Sequence, residues 1–456
     1  MSQLTATRQR PQPSAASRIR TNSLWNAVQQ TASLAATSAV SFLLVLVLPV
    51  REYGIYSYAV SLSMIGIAIM TAGLSGLAVK AFVNDKQRTA ATMSAILLIR
   101  EAFAAIAFIF LGAISFTSGD RLTIAVSLVS LTMLFARALD APELWFLARL
   151  ESRATAVIRI GTAAAMLALR VAAVAWWNNL WVFVFLNIAE ALVASLLILR
   201  RYFRDPESAG LHRPHVKTLV ELFRQSWLLA LSGVANQVNL RADVVIIQAL
   251  MGSVAVGVYS VASRVSELAY FLPVVIMNST LPVLLEVRKK SGGESKAYHN
   301  MLQRSYDTSF WSGVGIAIVI SLIGPPLIPL VFGHQFSTAS SVLLIHIWAC
   351  PFVFMGTVYS KWIIVEGYLW SSLIRHVLGG VVNVALNFIL IPHYGIEGAA
   401  VATVFSYAMA NYLACFVGRQ SRGEGIKMTL AIFWPLRLLM SYFRIGVPSA
   451  PAKHRA

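Results

Sequence analysis

Gly54-Ile55-Tyr56-Ser57-Tyr58-Ala59 returns later in the chain as Gly257-Val258-Tyr259-Ser260-Val261-Ala262, and Ser63 and Ser266 continue the register. Each copy opens an apolar run, the second of the chain in one case and the eighth in the other. A signature that recurs after six spans lies on the same side of a membrane both times. This predicts a parallel repeat: two six-helix bundles related by an axis along the membrane normal, with a pathway between them.

The composition agrees with a chain that lives in lipid. Of 456 residues, 57% are hydrophobic and only 12% charged, where soluble domains carry about a quarter charged residues. A helix needs about 20 apolar residues to cross a bilayer. Twelve windows satisfy this, near 24–48, 54–79, 91–116, 122–147, 155–176, 180–199, 226–250, 254–285, 308–332, 338–365, 370–391 and 395–417. The expected organisation is a basic tail (1–23), a first bundle (24–199), a linker (200–225), a second bundle (226–417) and a basic tail (418–456). Both cysteines, Cys350 and Cys415, fall inside apolar runs and read as small core residues; no metal-ligand spacing is present.

The net charge of +18 is a topology signal. With the N-terminus in the cytoplasm, about 27 of the 37 basic residues fall on cytoplasmic segments, among them Arg8, Arg10, Lys86, Arg200–Arg224, Arg288–Lys290, Lys453 and Arg455. Only Arg51 and Arg121 fall on the other side. This positive-inside bias predicts cytoplasmic termini and an even number of spans. It also removes the reason to invoke nucleic acid. The leader and first run resemble a signal peptide, but no small-x-small site closes the run, so they read as a tail and a first span. Segment 427–444, with Pro435 and Arg437 near its centre, reads as an amphipathic helix in the interface rather than a thirteenth span.

Three stretches carry a resemblance. Leu48-Pro49-Val50-Arg51-Glu52-Tyr53-Gly54-Ile55-Tyr56, then Gly252-Ser253-Val254-Ala255-Val256-Gly257-Val258-Tyr259-Ser260 followed by Pro273, and Tyr394-Gly395-Ile396-Glu397-Gly398-Ala399-Ala400-Val401-Ala402-Thr403 are similar to Wzx-type polysaccharide flippases of the MATE-like superfamily. The resemblance covers nearly the whole chain in order. It implies an all-α, MATE-like fold of twelve spans in two bundles and export of undecaprenyl-pyrophosphate-linked oligosaccharide units at the bacterial inner membrane. It also implies a place beside the polysaccharide polymerase and export machinery. It supplies no catalytic motif.

Eight basic residues sit at membrane depth: Arg100, Arg137, Arg159, Arg170, Arg241, Arg264, Lys361 and Arg375. Left facing lipid, each costs about 2.5–3.5 kcal/mol on insertion scales. Arg159, Arg170, Lys361 and Arg375 are near enough to a span end to snorkel. The others must face protein or water. Arg264 with Glu267 and Arg137 with Asp140 are three apart, on one helix face. Arg241 with Asp243 and Arg100 with Glu101 point to different faces and should pair with other spans. Glu190 has no oppositely charged sequence neighbour. The first-bundle counterparts of Arg264 and Glu267 are Ser61 and Met64, so the repeat itself does not call for that charge.

An anionic pyrophosphate needs cationic groups in a hydrated cavity, and guanidinium offers phosphate a planar fork of donors. Arg241, Arg264, Arg100, Arg137 and Arg170 are therefore candidate cavity residues. Glu267, Asp243, Asp140 and Glu190 are candidates for charge balance or for binding a driving H⁺ or Na⁺. A drug or cation exporter of the same fold would want an acidic, aromatic site, whereas eight bases face seven acids within the spans. A membrane-embedded polymerase or ligase would need a large catalytic outer loop, and the outer connections here are short. His334 and His393 occur on them singly. A scaffold without transport activity is the remaining class.

Overall fold

The computed structural model describes residues 15–85, 88–177, 179–214, 216–291 and 295–444. Arg8, Arg10, Lys86, Lys453 and Arg455, used above for topology, lie outside the described residues. Among the described residues the regular structure is helical, without strands. The helices are α1 (Ala15–Val47), α2 (Val50–Thr71), α3 (Leu74–Asn84), α4 (Thr89–Ser115), α5 (Arg121–Leu131), α6 (Met133–Ala138), α7 (Pro142–Ala148), α8 (Ser152–Trp176) and α9 (Leu180–Phe203). They continue with α10 (Val216–Met251), α11 (Ser253–Ala269), α12 (Phe271–Ser291), α13 (Lys296–Phe332), α14 (Ala339–His346), α15 (Cys350–Glu366), α16 (Leu369–Asn411), α17 (Arg422–Ile432) and α18 (Trp434–Arg444).

Nine described segments are long and apolar enough to cross a bilayer. One of them, Trp370–Phe416, is a hairpin and carries two of the expected windows. Gly395 breaks it with φ 58° and ψ −140°, a conformation open to glycine and strained for other residues. A Cβ on Gly398 would lie 2.5 Å from the Leu390 carbonyl, whereas eight residues of straight helix span about 12 Å. Asn383 Nδ2 donates to Ser406 Oγ across the hairpin at 3.3 Å. The two remaining windows correspond to α10 and to α11 with α12.

The chain divides into two compact units. The described residues up to Pro49 with Leu62–Ala230 form the first, and Val50–Ser61 with the described residues from Leu231 onward form the second. The division falls inside α10, and α2 is shared, so neither break lies in the expected 200–225 linker. Helix also runs through much of what reads as loop. Among the described residues the segment between α9 and α10 is confined to 204–214, and helix covers the basic stretch Arg288–Lys290 at the end of α12.

In the first unit, Asp120 caps α5 by accepting from the Leu122 and Thr123 amides, and Asn179 caps α9. A core of Phe82, Trp145, Phe146 and Tyr202 joins α3, α7 and α9, with Trp145 edge-on to Tyr202 at 5.1 Å.

In the second unit, the repeat glycines meet each other. A Cβ on Gly54 would lie 1.8 Å from the Ser253 carbonyl oxygen, and one on Gly257 would lie 2.3 Å from that of Val50. Each glycine thus abuts the carbonyl four residues ahead of the other, so α2 and α11 touch backbone to backbone, as small residues allow in membranes. Pro325, Pro326 and Pro329 lie inside α13 rather than ending it. Pro329 has no N–H for the carbonyl of Pro325, and Ser340 Oγ supplies the missing donor at 3.0 Å.

The expected interfacial helix 427–444 is two helices with different roles. α17 packs on α13: Met428 and Ala431 are buried, and Trp311 Nε1 donates to the Ala431 carbonyl at 3.0 Å. α18 exposes Leu436, Leu438, Leu439 and Met440 and is tied back by Arg437 to Asp307 at 3.1 Å.

Candidate functional site

The intramembrane charges gather into one cluster in each unit. In the second unit, α10 carries Arg241 and Asp243 two residues apart, so their side chains leave the helix in different directions. Arg241 reaches α11, where Nη1 donates to Glu267 Oε1 at 2.9 Å and Nη2 to Oε2 at 3.4 Å. From one turn earlier on α11, Arg264 Nη1 donates to the same carboxylate at 3.2 Å. Two guanidinium groups thus share one carboxylate, leaving a surplus positive charge. The three side chains keep 14% (Arg241), 18% (Arg264) and 22% (Glu267) of their surface exposed. A small ligand in contact with them need not first break a dry ion pair.

Asp243 turns the other way and is buried. It accepts from its neighbour's amide, Val244 N, at 2.8 Å and from the Tyr259 hydroxyl, with Thr403 Oγ1 of α16 at 3.5 Å. No cation lies within ion-pair distance of it among the described residues. His346 of α14 packs edge-on to Tyr259 at 6.0 Å, and its Nδ1 is buried without a hydrogen-bond partner.

The first-unit cluster is more closely paired, and its paired arginines are the more deeply buried. Asp140, in the turn between α6 and α7, accepts from Arg100 Nη1 of α4 at 2.8 Å and from Arg159 Nη2 of α8 at 2.6 Å. Arg159 also donates to Glu143 Oε2 at 2.6 Å, and Glu143 Oε1 accepts from Gln29 Nε2 of α1 at 2.9 Å. Arg170, only 2% exposed, pairs with Glu190 of α9 at 2.8 Å. Arg137 lines a cavity with Glu143, Arg159 and Glu190, and it makes no ion pair or hydrogen bond among the described residues.

Several expectations meet their geometry here. Arg264 pairs with Glu267 as the three-residue spacing predicts, and Arg241 and Arg100 pair with other helices. The expected Arg137–Asp140 pair does not form, because Pro142 ends the helix there and Asp140 lies in the resulting turn. Arg170 does not snorkel: it is enclosed and neutralised. Arg159 is held by Asp140 and Glu143, and Arg375 by the Gly356 carbonyl, Ser360 Oγ and Asn411 Oδ1, so neither reaches for an interface. Sequence reasoning did not single out Glu143, Gln29, Tyr259, Thr403 or His346. Tyr259 and Thr403 sit inside the quoted motifs, where they read as backbone signature rather than as hydrogen-bonding groups.

Residues 19–287, more than half of the chain, match the family described as polysaccharide biosynthesis protein. The chain belongs to that family. This family member is 26% identical over 238 residues to Agl15 of Haloferax volcanii, described as a "probable low-salt glycan biosynthesis flippase", with half of each chain covered. It spans about half the length of the curated relatives it matches. Its fold is similar to that of an inward-facing multidrug resistance MATE family transporter of the MOP superfamily, with TM-score 0.63, 13% identity, and 92% and 96% of the two chains covered. It is also similar to the lipid II flippase MurJ in an inward closed conformation, with TM-score 0.63, 15% identity, and 93% and 94% covered. The family member is therefore an all-α, multi-pass membrane protein of MATE-like fold. Agl15 and MurJ are named as flippases and the MATE protein as a transporter.

Proposed function

We propose that this protein flips a lipid-linked saccharide across the bacterial inner membrane, with both termini cytoplasmic and undecaprenyl pyrophosphate as the carrier. The observation that carries the proposal is the Arg241–Glu267–Arg264 triad, a partly solvated site with one more cation than anion. Its guanidinium groups can offer the pyrophosphate charge-assisted hydrogen bonds, while the isoprenyl chain stays in the bilayer and only the head crosses. A cation exporter would have to work against the same surplus charge.

The driving ion is H⁺ or Na⁺ in this proposal, and Asp243 is the carboxylate suited to it. It is buried, it lacks a cationic partner among the described residues, and two hydroxyl groups are in place to follow a change in its charge. Glu190 is the second candidate, with Arg170 as the partner that would be released.

The test is delivery of a lipid-linked oligosaccharide to the outer leaflet of reconstituted vesicles. Arg264→Ala and Arg241→Ala are expected to lower the initial rate at least about tenfold, the loss of a charge-assisted contact, and Arg264→Lys to recover part of it. Wild-type rates from both well-folded alanine variants would overturn the assignment. Export of a cationic dye, with no flipping, would favour the drug-exporter reading.

A further inference from the structure

The first unit contains a cavity of about 270 Å³ walled by α1, α6, α7, α8 and α9. The charges that line it are Arg137 and Arg159 against Glu143 and Glu190, but the wider network they belong to does not balance. Arg100, Arg137, Arg159 and Arg170 stand against Asp140, Glu143 and Glu190, and each of those carboxylates already has an arginine. Arg137 is the one left over. It lines the cavity, its Nε is buried without an acceptor, and it makes no other hydrogen bond or ion pair among the described residues. A guanidinium cannot shed its proton to escape this position; the fields of Asp140, Glu190 and Glu143 reach it, but each of those carboxylates is paired elsewhere, so an anion in the cavity would give it a direct counter-charge.

We infer that this cavity binds a small monovalent anion, a halide or a lone carboxylate, at Arg137. Three features set the class. One uncompensated cation calls for a single negative charge. Glu143 and Glu190 also line the space and would repel a dianion such as sulfate or hydrogen phosphate. The volume holds a small ion with a few waters, at about 30 Å³ of liquid volume each, but not a pyrophosphate bearing several sugars. The hydroxyls of Ser33 and Thr37 of α1 lie in the wall and can donate to the ion. Bound there, the anion would join α6 to α1, α8 and α9, completing the charge network of the first unit. The site is distinct from the Arg241–Glu267–Arg264 triad and does not depend on what the triad carries.

The experiment uses the full-length protein in detergent. Sodium bromide and sodium acetate are each titrated into a sodium sulfate background at fixed sodium concentration, while the thermal unfolding midpoint is followed. The wild type should show a saturable rise with either anion, and Arg137→Gln should abolish it or weaken the apparent affinity at least about tenfold. Thr37→Leu, which fills the cavity but keeps every charge, should also abolish the rise, and it serves as the test if Arg137→Gln does not fold. Crystals soaked in bromide should show an anomalous peak beside Arg137. A midpoint indifferent to both anions would overturn the inference, as would a saturable rise that survives both substitutions. In a separate titration of sodium sulfate alone, a saturable rise lost in Glu190→Gln, with no response to bromide or acetate, would instead make the cavity a cation site and overturn the inference.

Discussion

Both units bury arginines, but they neutralise them differently. In the first unit, Asp140, Glu143 and Glu190 hold Arg100, Arg159 and Arg170, arginines only 2–13% exposed, across α4, the α6–α7 turn, α7, α8 and α9, and Arg137 stays outside these pairs. In the second, two arginines share Glu267 and all three side chains keep part of their surface exposed. Where each carboxylate is matched to a deeply buried arginine the network acts as framework, since removing one partner strands a charge in a low-dielectric interior. A cluster in which two part-exposed arginines share one carboxylate costs less to perturb and keeps attraction to spare for a ligand. The same residue types therefore serve different ends, and burial with partner count separates them.

That contrast can be broken by substitution. Asp140→Asn should have the largest effect on folding, about 3–5 kcal/mol in denaturant unfolding, because it leaves Arg100 buried without a carboxylate beside Arg159, which keeps only Glu143. Glu267→Gln should cost less, about 2 kcal/mol, because water reaches its arginines, and it should alter flipping more than stability. Equal stability losses from the two would erase the distinction. Tyr259→Phe removes a donor from buried Asp243 and should cost about 1–2 kcal/mol in the same measurement. Arg288→Ala sets the floor. It deletes a two-pronged bridge to Glu366 at 2.6 Å whose arginine is well exposed, so the loss should stay below about 1 kcal/mol and vanish in high salt.

The spans were legible because hydropathy is a property of each segment alone. The turn near Gly395 could be read to within a residue, since the windows 370–391 and 395–417 leave 392–394 between them and the second opens on Gly395. Pairing within one helix was legible where the helix continues, as for Arg264 and Glu267. It failed for Arg137 and Asp140 because Pro142, two residues past Asp140, breaks the helix on which three-residue spacing depends. Partners on other helices, such as Glu190 for Arg170 or Gln29 for Glu143, depend on the rotation and depth of each span. No single segment encodes these. Arg170 shows the consequence: its position near a span end suggested escape to the interface, and a neighbouring helix instead supplies the counter-charge.

The meeting of Gly54 with Gly257 bears on how such a chain could arise. Val50 is to Gly257 what Ser253 is to Gly54, so one set of steric demands is met twice by the same surface. Contacts of this kind are isologous, the sort by which identical subunits pair. A single ancestral half could have dimerised through this patch before duplication and fusion joined two copies in one polypeptide. The tether then freed the copies to diverge, and a charge such as Arg264 could appear in one without burdening the other.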